Sequence, residues 1–332
     1  MTTRARDHGL VPAPGRTGPH NAITDVPGVL AGHTTILRPP TIHSGVTAIV
    51  PQGVGPDAPL PAGLFAGNGY GKLIGATQVA ELGVIESPVV LTSTLSAFRT
   101  ADALVTWMLS KPAWTDVVSF NPVVGECNDT WLSDGRSRPV TEADVLAALD
   151  GAAGGPVEEG SVGAGTGTGA LGFKAGIGTS SRVVEVAGDE VTLGVLVQAN
   201  FGGRLRVGGV VPDFETEDPS ATEAGSCMVV AATDAPLDAR QLTRLARRLV
   251  FGLGRVGAAY THGSGDYGLA FSVRRDGRAP ADAVLNPLLT AALDAVEESV
   301  LNSLAAARTT VGFNGRTLPG IPVDRLRALM VR

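Results

Sequence analysis

Ser226 follows Gly225 at the point where a polar, Pro-containing stretch (212–224) gives way to the apolar, strand-like run 227–232. A Gly–Ser bond held exposed at a strand start is what a self-cleaving precursor needs. If it breaks, Ser226 carries both a hydroxyl nucleophile and a free α-amine. Such an amine, with a reference pKa near ~7.7–8.0, suits the role of the hydroxyl's own base. Asn200 lies where the apolar run 192–198 ends, a position from which a side-chain amide can donate to an oxyanion. Ser264 and Asp266 are two residues apart ahead of the run 268–273. Alternate residues of an extended chain share a face, so this hydroxyl and carboxylate would stand together and could hold an amine. Cys227 alternates to the face opposite Ser226 and is read as core.

Other chemistries fit less well. The Gly-rich loop 163–169 completes neither GxGxxG with its acidic partner nor a P-loop, so it reads as a place where backbones pack closely and as a candidate active-site wall. Lys174, just beyond it, is a candidate site cation. The five histidines, His8, His20, His33, His43 and His262, show no HxxH or HExxH spacing, and Cys127 and Cys227 are isolated. No metal or other cofactor is expected. A triad of His262, Ser264 and Asp266 would lack the G-x-S-x-G elbow. Acidic Glu126 and Asp129 are candidate pocket groups.

Behind these residues stands a globular chain of 332 residues, 44% apolar and 17% charged. Its 44 Gly and 22 Pro, about a fifth of the chain against a usual ~12%, imply many tight turns and close approaches. A net charge of −6 argues against nucleic acid. With two cysteines, no signal core and no long apolar span, a soluble, reduced, cytoplasmic protein is expected. Residues 1–20 read as a loose arm. Strands are expected at 23–29, 32–36, 45–51, 87–92, 117–126, 181–186, 192–198, 227–232 and 268–273. Helices are expected at 71–82, 97–109, 141–150 (with Thr141 as N-cap), around Leu242, Leu245 and Leu249, and from Leu285 to Leu304. Adjacent strands between helices suit stacked sheets covered by helices, an α/β fold in one domain.

Taken in order, eight segments (23–29, 45–50, 67–72, 122–129, 163–178, 197–202, 225–226 with 232–237, and 263–266) resemble the DmpA-type aminopeptidases of peptidase family S58. That family includes L-aminopeptidase/D-amidase-esterases and β-peptidyl aminopeptidases. The resemblance implies a four-layer αββα sandwich like the N-terminal-nucleophile hydrolases, with different connectivity. It implies one catalytic domain over 1–332, self-cleaved at Gly225–Ser226 into 1–225 and 226–332, with the processed heterodimers assembled as a homotetramer. Ser226 maps to the nucleophile, Asn200 to the oxyanion amide, and Ser264 and Asp266 to supporting residues, while Lys174 and Asn128 map to pocket-lining segments. The expected partner is a small peptide or amino-acid amide. Acyl transfer to an amine, and a non-catalytic Gly-loop binder, are the alternatives.

Overall fold

The computed structural model describes residues 4–12, 14–213 and 225–330. The strands are β1 (Val29–Arg38), β2 (Ile42–Pro51), β3 (Leu60–Gly69), β4 (Leu73–Ile74), β5 (Val84–Ile85), β6 (Val89–Ser93) and β7 (Val123–Cys127). After the Gly-rich loop come β8 (Gly169–Ala170), β9 (Phe173–Lys174), β10 (Ile177–Val186), β11 (Asp189–Gln198), β12 (Ser226–Thr233) and β13 (Gly265–Ser272). The helices are α1 (Ala76–Leu82), α2 (Ala97–Leu109), α3 (Glu142–Asp150), α4 (Ala239–Leu253), α5 (Asn286–Ala306) and α6 (Val323–Met330).

Two mixed sheets face each other, ordered β1-β2-β6-β7-β4 and β10-β11-β12-β13-β3-β5. Three apolar layers define the stack. Val46, Ala48, Val90 and Val124 pack outward on α2 and α3. Ile49, Leu91 and Val123 of one sheet meet Leu196, Met228, Val230 and Leu269 of the other. Cys227, Val229 and Ala231 pack outward on α4 and α5. The order is therefore αββα, as the period-2 alternation of the strands requires when both faces are covered. Glycine brings helix and sheet backbones together. A Cβ at Gly178 of β10 would lie 1.9 Å from the Ser299 carbonyl of α5, and one at Gly63 of β3 would lie 2.1 Å from the Thr243 nitrogen of α4.

Most expected elements are present, including α2 at its expected limits and α3 capped by Thr141, whose side chain accepts from the Asp144 N–H. Four expectations are corrected. Residues 23–25 form a 3-10 turn, and the strand begins only at Val29. The helix expected at 71–82 starts at Ala76, because Lys72 is drawn to Glu126 and Leu73–Ile74 pairs with β7. In the same way residues 117–122 precede the strand, which starts at Val123. Finally, the described part of the N-terminal arm is anchored rather than loose: Ala5 and Leu10 are fully buried, Arg4 pairs with Glu159 at 2.7 Å and Arg6 with Glu298 at 2.7 Å.

The arm explains why α5 is buried on its polar side too. Glu298 takes the guanidiniums of Arg6 and Arg182, and Asn302 accepts the Ala5 N–H. Burial pushes the Glu298 carboxyl up, but Arg6, Arg182 and Asn21 bring it below its ordinary value. Glu298→Ala should cost ~3–5 kcal/mol in urea unfolding, because it strands the buried Arg182 charge. A loss within 1 kcal/mol would show that the arm does not depend on this carboxylate.

Candidate active site

β12 begins at Ser226, beside the start of β13 and the end of β11, so three strand termini converge on one point. Ser226 shares its face with Met228 and Val230, toward the opposing sheet. It opens on a cavity of about 310 Å³ lined by Tyr70, Lys72, Thr94, Glu126, Asn128, Ser226, His262 and Gly263. The rims are tied together: the Asn68 amide donates to the Thr261 carbonyl at 2.6 Å, and the Tyr70 N–H to the Ser264 carbonyl at 3.3 Å. At the mouth, Tyr70 and His262 stack obliquely with ring centroids 6.0 Å apart.

Glu126 is the buried charge of this cavity, at 1% exposure. Its Oε1 accepts the Lys72 backbone N–H at 2.8 Å and lies 3.4 Å from Lys72 Nζ, which also donates to Thr94 Oγ1 at 2.8 Å. Its Oε2 is buried without a hydrogen-bond partner among the described residues. A carboxylate with one oxygen held and the other unpaired is set to receive a cation, because leaving it bare costs free energy.

On the other face of the sheet, Ser264 Oγ donates to Asp266 Oδ1 at 2.9 Å, and Oδ2 has no partner among the described residues. The two residues do share a face, but it is the face of Cys227, not that of the Ser226 side chain. Continuing the β12/β13 register one residue backward puts Ser264 beside Gly225. Burial pushes the Asp266 carboxyl up to about 6, against the opposing hydrogen bond from Ser264. Continuing the β11/β12 ladder in the same way brings Asn200 opposite Ser226. A Cβ at Gly225 would lie 2.1 Å from the Asn200 carbonyl, so only glycine fits there. The Asn200 amide donates to the Asn128 carbonyl at 3.0 Å and accepts the Gly169 N–H at 3.1 Å.

The comparisons with known proteins agree over nearly the whole molecule. Residues 21–318 match the model of "Peptidase family S58". The chain belongs to peptidase family S58. It is 39% identical to the β-peptidyl aminopeptidase BapA of Sphingosinicella microcystinivorans, over 98% of this chain and 91% of that one. The L-aminopeptidase D-Ala-esterase/amidase of Ochrobactrum anthropi, described as a variant of the Ntn-hydrolase fold, superposes with a TM-score of 0.91 at 41% identity, covering 99% and 98% of the two chains. A Burkholderia β-aminopeptidase gives a TM-score of 0.90 at 36% identity, covering 99% and 98%. The fold is thus the Ntn-hydrolase variant of these S58 enzymes, and the chain is a peptidase.

Not every expected pocket residue reaches the S58 cavity. Glu126 and Asn128 line it. Lys174 does not: it is fully buried, with its ammonium spent on backbone carbonyls of the Gly-rich loop. Asp129 turns away and accepts from Ser44 Oγ at 2.6 Å, and burial pushes its carboxyl up to about 7. The Gly225–Ser226 junction is buried rather than exposed, with Ser226 at 4%, because Asn200 and Phe201 close over Gly225. The polar stretch before it (214–224) lies outside the described residues. Tyr70, Lys72 and Thr94 were given no role from sequence. Tyr70 and Lys72 follow the end of β3 and Thr94 follows β6, and nothing local ties either place to a site.

Proposed function

We propose that this chain is a self-processing N-terminal-serine aminopeptidase, which releases N-terminal residues from small peptides, amino-acid amides or esters through an acyl-enzyme. The observation that carries this reading is the Ser226 side chain at the start of β12, facing a cavity in which, among the described residues, the unpaired carboxylate oxygen belongs to Glu126. The S58 relatives, named for aminopeptidase and amidase activities, support the same class and do not favour acyl transfer or a passive binder.

In maturation, Ser226 Oγ adds to the Gly225 carbonyl carbon, the C–N bond breaks, and the Ser226 nitrogen leaves with a proton as an amine. Water then cleaves the ester, freeing residues 1–225 from 226–332. In turnover, this amine takes the Oγ proton as Oγ adds to the substrate's acyl carbon. One N–H of Asn200 is held by Asn128, and the other meets the oxyanion. The protonated amine then passes its proton to the leaving nitrogen, and water releases the acyl group. Ser264 and Asp266 border the space that Gly225 vacates, where they hold the new amine. Glu126 Oε2 receives the substrate's ammonium. We further place the processed pairs in a tetramer and the protein in the cytoplasm, where buried Cys127 and Cys227 stay as free thiols.

A small peptide with a free amino terminus should be hydrolysed and its N-acetyl form left intact. Glu126→Gln should raise KM and lower kcat/KM for the free peptide by ~10- to 100-fold, the worth of one charge-assisted contact. Equal rates on both peptides would sink the aminopeptidase reading, and an unchanged KM in Glu126→Gln would remove this residue from it.

A further inference from the structure

Among the described residues, Lys174 is the largest side chain that the fold buries completely. Burial of its charge pushes the ammonium down to about 7. Its Nζ donates to the carbonyls of Gly165 at 3.1 Å, Thr168 at 2.9 Å and Ala175. Three carbonyls match the three N–H groups of an ammonium, whereas a neutral amine would leave one unserved.

One of these carbonyls has a consequence at the catalytic end. The Thr168 C=O and the Gly169 N–H belong to the same planar peptide unit, on opposite edges. An ammonium that holds the oxygen therefore aims the N–H, and polarises it as well. That N–H donates to Asn200 Oδ1 at 3.1 Å. It thereby decides which end of the Asn200 carboxamide is oxygen, and leaves Nδ2 turned toward Asn128, which lines the cavity. We propose that Lys174 is a positioning residue for the peptidase reaction: it locks the Thr168–Gly169 peptide and, through it, orients the Asn200 amide toward the oxyanion. The Gly-rich loop is the transmitting element rather than a ligand cradle. This inference rests on the oxyanion role assigned to Asn200 above.

A double-mutant cycle on the full chain tests it, reading self-cleavage rates and kcat and KM on an amino-acid p-nitroanilide. Asn200→Ala and Lys174→Met should each lower kcat by ~10²–10³-fold, the worth of one oxyanion donor, with KM within about threefold. The double variant should be no slower than Asn200→Ala, because the two act as a unit. Lys174→Gln, which keeps an N–H₂ group facing the carbonyls, should regain at least about tenfold over Lys174→Met, and it carries the cycle if the Met variant does not fold. Losses that multiply in the double variant overturn the coupling to Asn200 alone. An Asn200→Ala enzyme of unchanged kcat overturns the oxyanion role and this proposal with it. In the unsubstituted protein at pH 6, nitrogen-15 NMR should show slowly exchanging Lys174 ammonium protons, and a rapidly exchanging amine would also overturn the lock.

Discussion

After prolonged incubation, Ser226→Ala is expected to remain one species at the mass of all 332 residues, whereas the unsubstituted protein resolves into chains 1–225 and 226–332. Intact mass spectrometry reads both outcomes directly. Alanine keeps the strand start, the close approach of Gly225 to Asn200 and the Cys227 face unchanged, and deletes only Oγ. Loss of processing would therefore report chemistry and not folding. Peptidase activity should fall by ~10⁶-fold, the scale seen when a nucleophile is removed from a serine hydrolase, since neither the hydroxyl nor the free α-amine exists in that variant. An unsubstituted chain that stays whole, or an alanine variant that still splits, would move the scissile bond elsewhere. Gly225→Ala is a weaker probe of the same bond, because its Cβ would strike the Asn200 backbone and disturb the fold itself.

What could be read from the chain beforehand follows the range of the interactions involved. Elements governed by local rules were legible: α3 from its Thr141 cap, α4 from the spacing of Leu242, Leu245 and Leu249, and β12 from its unbroken apolar run. The shared face of Ser264 and Asp266 was legible too, because strand alternation is local. Which face that was relative to Ser226 was not, since it depends on the parallel pairing of β12 with β13, 39 positions apart. The cavity posed the same difficulty. Tyr70, Thr94, Glu126 and His262 arrive from separate loops and strand ends, and no spacing announces their meeting. Lys174 was misplaced for a sharper reason. A lysine beside a polar loop is ordinarily drawn to water or to a substrate, yet here three carbonyls of the Gly-rich segment and its neighbour substitute for water. Carbonyl directions are set by backbone dihedrals that glycine leaves free, so sequence carries no record of them. The arm failed similarly: its polarity signalled looseness, while its arginines were matched to Glu159 and Glu298 far along the chain.

Asp266→Asn is the second substitution expected to have a large effect, and pH separates its causes. With the carboxyl pushed up to about 6 by burial, the folded chain holds a proton that the unfolded chain releases near its reference value of ~3.9. Between these values the folded state binds more protons, so ionising Asp266 weakens the fold as pH rises through that window. The loss is at most about 3 kcal/mol for about two pH units. Asp266→Asn should flatten this part of the stability profile and melt no lower than the parent at neutral pH. Activity should move the opposite way. The ionised carboxylate is the form that accepts from Ser264 and from the Ser226 amine, so kcat should drop by ~10²-fold or more in the asparagine variant, in the range of a lost acid–base partner. In the parent, log kcat/KM should climb with slope one toward the amine's own pKa and with slope two at the lower pH where Asp266, beside the new ammonium, also takes up a proton. The asparagine variant should keep only the first slope. A profile unchanged by Asp266→Asn would mean that the amine is held by something other than this pair. A variant that loses stability and activity in parallel would reduce Asp266 to a structural partner of Ser264.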